Sequence, residues 1–76
     1  MSERFIVYTK PQCPFCVRAK TLIGDAAEYI DVTANPEARQ TLIDRGLKTV
    51  PQIYVKETNE HIGGYTEFVE WSKTNI

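Results

Sequence analysis

The chain has 76 residues, 42% of them hydrophobic and 25% charged, with a net charge of −1. This is an ordinary globular composition, read as one domain over residues 1–76 with a modest core, since a chain this short buries about 60–65% of its unfolded surface. No segment is basic enough to hold nucleic acid or an anionic membrane surface, so neither is expected as a partner.

Met1, Ser2, Glu3 and Arg4 lead straight into the apolar run Phe5, Ile6, Val7 and Tyr8. That run is too short for a signal-peptide core or a membrane span, and the expected location is the cytoplasm, where disulfides are mostly transient. Aromatic and β-branched throughout, it reads as a strand buried on both faces, ended by Pro11 and Pro14. Residues 14–23 read as a helix. Pro14 suits its first position, where the missing N–H would have no partner anyway. Cys16, Ala19, Leu22 and Ile23 share a face by helical spacing, and Gly24 is a natural stop.

Residues 29–32 form a second short strand. Asn35, Pro36 and Glu37 then supply an N-cap, a first-turn proline and a first-turn acid. The helix they open runs to about Arg45 with Ala38, Leu42 and Ile43 inward, and Gly46 ends it. Ile53, Tyr54 and Val55 make a third strand, residues 56–60 a polar hairpin loop, and His61 and Ile62 a fourth strand. Gly63 and Gly64 turn the chain, and Thr66 and Glu67 open a last helix. Tyr65, Phe68, Val69 and Ser72 are spaced along one side of it. The order is β-α-β-α-β-β-α, an α/β protein with a four-stranded mixed sheet flanked by three helices. Its first βαβ unit requires parallel strands.

The only two cysteines, Cys13 and Cys16, stand in the stretch KPQCPFCVRAK of residues 10–20. A zinc site needs three or four protein ligands, and His61 is the only histidine. A cluster shared with a second chain could draw its other ligands from the partner. A permanent staple over so short a loop removes little chain entropy. Two buried thiols packing as small apolar groups fit poorly with a strand-to-helix junction. A redox pair has the best physical account. Cys13 falls at the N-cap, beside unpaired N–H groups and the positive end of the helix dipole. Lys10 adds positive charge, and all of these favour thiolate over thiol. Cys16 lies one turn on, within reach but on the inner face, so one sulfur is expected exposed and the other held back. C-x-x-C beside a βαβ pattern is a recognised sign of this arrangement.

Three segments together resemble the glutaredoxin family over nearly the whole chain. Cys13-Pro14-Phe15-Cys16, continued by Val17-Arg18-Ala19-Lys20, is similar to the dithiol motif of its small bacterial members. Thr49-Val50-Pro51-Gln52-Ile53 resembles the family's T-V-P segment, whose proline is cis. His61-Ile62-Gly63-Gly64-Tyr65-Thr66-Glu67-Phe68 resembles its second glycine motif. The resemblance implies a thioredoxin fold and a monomer with no permanently bound cofactor. It implies a thiol–disulfide oxidoreductase that takes glutathione as co-substrate and partner. Cys13 would attack, and Cys16 or a second glutathione would resolve the mixed disulfide. Glutathionylated and disulfide-containing proteins would be the substrates, with ribonucleotide reductase a client implied by the family alone.

The resemblance also implies a glutathione site. Lys10 would neighbour the thiolate and the glycine carboxylate, and Phe15 would stand beside the tripeptide. Thr49, Val50 and Pro51 would present the Val50 backbone for strand-like pairing. Gly64, Tyr65, Thr66 and Glu67 would hold the γ-glutamyl end, with Glu67 where Asp is commoner. An anionic group at a helix start has independent physical support, although Thr66 and Glu67 also suit plain capping. His61 reads as a hairpin surface residue, Trp71 as helix packing, and Arg18 and Lys20 as solvated charges. Two rivals stay open. One is a redoxin recharged by thioredoxin reductase, against which the Gly63–Thr66 segment speaks. The other is an iron–sulfur cluster module, against which Pro14 speaks.

Overall fold

The computed structural model describes residues 3–75; Met1 and Ser2, which enter the N-terminal reading above, lie with Ile76 outside them. The elements run β1 (Phe5–Thr9), α1 (Pro14–Ile23), β2 (Ala27–Asp31), α2 (Pro36–Asp44), β3 (Gln52–Val55), β4 (His61–Gly63) and α3 (Tyr65–Asn75), with one 3₁₀ turn at Gly24–Ala26. The sheet order is β2-β1-β3-β4. β1 pairs parallel with β2 and antiparallel with β3, and β3 pairs antiparallel with β4, which makes the sheet mixed.

Local chemistry explains the helix ends. Cys13 caps α1 in an extended conformation, Pro14 occupies the first turn, and Gly24 ends the helix at φ 63°. Asn35 caps α2, its side chain accepting the Ala38 N–H at 3.1 Å. α3 starts one residue before the expected Thr66. Its first intrahelical bond runs from Phe68 N–H to the Gly64 carbonyl at 2.9 Å, so Gly64 is the cap and Tyr65 the first helical residue.

Strand alternation sorts the core into two layers. Phe5, Val7, Ala27 and Ile53 face one way and pack with Ala19 of α1 and Phe68 of α3. Phe5 meets the rings of Phe68 and Trp71 edge-on at 5.2 and 5.5 Å. The other face meets α2 through Val32, Ala38 and Leu42, with Tyr8, Ile30, Leu47 and Val50 packed against them. β1 is therefore not sealed on both faces as its composition suggested. Ile6 and Tyr8 are only half-buried, because a single short helix covers their side. Leu22 and Ile43, expected inward, are exposed. Each helix turns its inner stripe through Cys16 and Ala19, or Ala38 and Leu42, and Leu22 or Ile43 falls off that stripe.

Candidate active site

Gln12 stands in the left-handed backbone region at φ 61°, and there the chain leaving β1 swings onto the end of α1. This reversal brings Cys13 to the helix cap. The Cys13 Sγ accepts the Cys16 backbone N–H at 3.2 Å and donates to the Val50 carbonyl at 3.6 Å. Both cysteines are free thiols, and both are buried. Cys13 is thus less open than expected, at 7% exposure against 4% for Cys16, because the Val50 backbone closes over its sulfur. Burial pushes the Cys16 thiol above its usual range and the contact with Cys13 adds to this; the Thr9 hydroxyl and the Lys10 backbone partly oppose it. Cys16 is the deeper, held-back member of the pair.

The Val50–Pro51 bond is cis. Lys10, Cys13, Thr49 and Val50 share one groove of about 980 Å³, whose lining also includes Val32, Thr33, Arg39, Leu42, Ile43, Leu47 and Lys48. Its charged lining residues are all cationic: Lys10, Arg39 and Lys48.

The remaining candidate residues lie outside that lining and form a second group. Phe15 and Tyr65 stand with ring centroids 6.1 Å apart, and the Arg18 guanidinium lies 5.1 Å from the Phe15 centroid. Gly64 joins the two groups: a Cβ there would stand 3.4 Å from the Pro51 carbonyl. Gly64 N–H donates to Glu67 Oε1 at 2.8 Å, so one oxygen of Glu67 closes the return half of a capping box. Gly63, at φ 126°, allows this approach, since a Cβ on it would come within 2.7 Å of Glu67 Cβ. Thr66 is exposed on the first turn of α3.

Several residues at the site were not singled out from sequence. Arg39 and Lys48 reach the groove because α2 and the segment after it pass over the Cys13 end of β1. No local pattern carries that signal, though Lys48 does adjoin the T-V-P segment. Gln52 is the buried polar residue of the core, and its neighbour His61, exposed as expected, also makes side-chain contacts. His61 stacks on Tyr54 at 4.7 Å and its Nε2 lies 2.8 Å from Gln52 Oε1.

A family model described as Glutaredoxin matches residues 5–62. Glutaredoxin 1 of Escherichia coli (strain K12) is 34% identical, with 93% of this chain and 94% of the relative covered. A glutaredoxin of Vibrio cholerae is 35% identical over 93% of this chain and 92% of its own length. The solution structure of reduced E. coli glutaredoxin superposes with a TM-score of 0.72 at 35% identity, covering 99% of this chain and 96% of that one. That of a Brucella melitensis glutaredoxin gives 0.72 at 36%, covering 93% and 79%. The architecture is the thioredoxin fold these structures share. With its C-x-x-C pair at the start of α1, the chain belongs to the glutaredoxin family of thiol–disulfide oxidoreductases.

Proposed function

We propose that this glutaredoxin draws its electrons from glutathione and reduces both protein disulfides and protein–glutathione mixed disulfides. The observation that carries this reading is the placement of the Cys13 Sγ, 3.6 Å from the Val50 carbonyl, in a groove that also holds Lys10 and Thr49.

Cys13, as thiolate, attacks one sulfur of the substrate disulfide. The other sulfur leaves with the electron pair and takes up a proton. When the substrate is a glutathionylated protein, the protein thiol leaves and glutathione stays on Cys13. A second glutathione then attacks that bond, restoring Cys13 and releasing oxidised glutathione. When the substrate is a protein disulfide, Cys16 loses its proton and attacks Cys13, which frees the protein dithiol. Two glutathiones then reduce the Cys13–Cys16 bond.

In this reading the Val50 backbone pairs with the tripeptide as an added strand. Lys10, with Arg39 and Lys48 in the same groove, meets the glycine carboxylate. Phe15 and Tyr65 flank the bound thiol. The N–H groups at Thr66 and Glu67 take the γ-glutamyl carboxylate, and the Glu67 oxygen not used by Gly64 takes the amine. Protein thiol substrates of this kind belong to a reducing compartment, the cytoplasm. Among the described residues no helix is long and apolar enough to cross a membrane.

The test offers glutathione with its reductase, or thioredoxin reductase, as alternative electron sources. Turnover with glutathione is expected. It should vanish in Cys13→Ser and survive in Cys16→Ser for mixed disulfides, while protein-disulfide reduction falls. Turnover with thioredoxin reductase alone would replace this reading with the rival one.

A further inference from the structure

The Val50 carbonyl faces the sulfur of Cys13, yet among the described residues no backbone–backbone hydrogen bond holds residues 48–51. Side chains do that instead. The Gln52 amide donates from Nε2 to both the Thr49 carbonyl, at 2.9 Å, and the Thr49 hydroxyl, at 3.2 Å. A carbonyl only accepts, so the Gln52 nitrogen must face Thr49 and its oxygen must face His61. That assignment makes His61 Nε2 the donor across the 2.8 Å contact. The neutral Nε2–H tautomer and the imidazolium both satisfy it. The His61 ring is itself held, stacked on Tyr54 at 4.7 Å, and the Arg45 guanidinium lies 4.7 Å from the Tyr54 ring centroid. A register shift in the β3–β4 pairing, with Ile53 opposite Gly63 and Tyr54 opposite His61, sets the two strands so that this contact forms.

We propose that Gln52 and His61 are positioning residues for the thiol-donor site: His61 orients the Gln52 amide, and the amide fixes the height of the Thr49 and Val50 backbone beside Cys13. Gln52 is buried, at 6% exposure, which suits a fixed bracket better than a surface contact. His61 lies two residues before Gly63, on the strand that feeds the Gly64–Glu67 turn. The pair therefore ties together the two groups of candidate residues, one on each side of Pro51. Neither side chain has a role in the sulfur chemistry. Their effect falls on how well the incoming thiol is aligned, and so on its KM rather than on kcat.

This inference rests on the glutathione reading above, and the experiment separates the two. Steady-state turnover of a small glutathione mixed disulfide is measured against glutathione concentration, with glutathione reductase in excess. The wild type is compared with Gln52→Glu, His61→Leu and His61→Gln. Gln52→Glu keeps the acceptor for His61 but removes both donors to Thr49. Loss of a hydrogen bond of ordinary strength predicts a KM for glutathione raised about five- to tenfold, with kcat nearly unchanged. His61→Leu, at an exposed position, should raise KM by a smaller factor. His61→Gln retains a side-chain donor and should bring KM back toward the wild-type value. A purely structural role would lower the thermal midpoint of the variants and leave KM where it was, which overturns the inference. If Gln52→Glu does not fold, the His61 pair decides alone: equal KM in His61→Leu and the wild type overturns it. A wild type that does not turn over with glutathione removes the glutathione reading and this inference together. Normal wild-type turnover beside unchanged variants removes only the inference.

Discussion

Under α1 and α3 the sheet presents Phe5, Val7 and Ile53, at 2%, 0% and 0% exposure, against Ala19 and Phe68. Under α2 the same strands present Ile6, Tyr8, Gln52 and Tyr54, two of them half-buried and three bearing polar atoms. The first face is apolar throughout and closed by two helices. The second is covered by one helix of nine residues, whose C-terminal end is tied down by Arg45 lying over Tyr54. An apolar, close-packed layer tolerates no gap, because each missing contact is lost outright. A partly covered face can hold a groove and a polar network, provided that every buried polar atom has a partner. Among the described residues no buried side-chain nitrogen or oxygen lacks one. The close-packed layer thus lies on one face, under α1 and α3, and the groove on the other, with Cys13 in its lining.

The contrast predicts unequal costs of truncation. Phe68→Ala, on the closed face, should destabilise by about 3–5 kcal/mol, close to the whole stability of a domain this small. Leu42→Ala, in the small cluster under α2, should cost nearer to about 2 kcal/mol, at the low end for such a change, since the groove beside it lets neighbours relax. Urea midpoints compare the two, and equal losses would erase the distinction between the faces.

The two sulfurs sit at the seam between the faces and should differ in the same sense. In Cys13→Ser, the remaining Cys16 should alkylate slowly at neutral pH, with an inflection above the ordinary thiol value of 9.0, because burial favours the neutral form. The sign for stability follows. With its folded value raised, Cys16 contributes fully below the unfolded value near 9, and the contribution is lost as pH climbs from there through the folded value. The reduced protein should therefore weaken above about pH 9, and Cys16→Ala should remove that part of the slope. An alkylation profile that inflects at or below 9 would place Cys16 on the open side of the seam.

Smaller effects belong to the periphery. Glu67→Ala removes the bond to Gly64 N–H and should lower stability by about 0.5–1 kcal/mol. It should also raise the KM for glutathione if the second oxygen holds the amine. A stability loss with unchanged KM leaves Glu67 as a cap and nothing more. At the far edge, Lys56 bridges Glu3 at 3.1 Å and Glu28 at 3.4 Å, all well exposed. Lys56→Gln should shift the denaturation midpoint by no more than the measurement error, and least of all at high salt. A clear destabilisation would mean that the open edge contributes more than its exposure allows.

Most of the fold was readable along the chain because its signals are local. Proline in the first turn, Asn35 as a cap, and Gly24 and Gly46 at positive φ all act within four residues of where they stand. The motif residues were readable for the same reason, being contiguous in three short segments. What escaped was any feature that depends on which elements become neighbours. Leu22 and Ile43 satisfy helical spacing as well as Ala19 and Leu42 do, and only the direction in which each helix meets the sheet leaves them exposed. The depth of Cys13 is of this kind too, since the residue that covers its sulfur, Val50, is 37 positions away.

Composition, capping residues and the spacing of apolar positions were enough for the order of elements, for the mixed sheet and for a reactive cysteine pair at a helix start. The elements and the cysteine pair rest on interactions between residues close in the chain, whose geometry the backbone dictates, and the mixed sheet follows from the order of those elements. The groove with Lys10, Arg39 and Lys48, the bracket of Gln52 and His61 on Thr49, and the burial of both sulfurs came from packing. These join β1, α2, β3 and β4 across long stretches of chain, and a contact between distant segments is set by how whole faces fit together, which no short window of residues encodes.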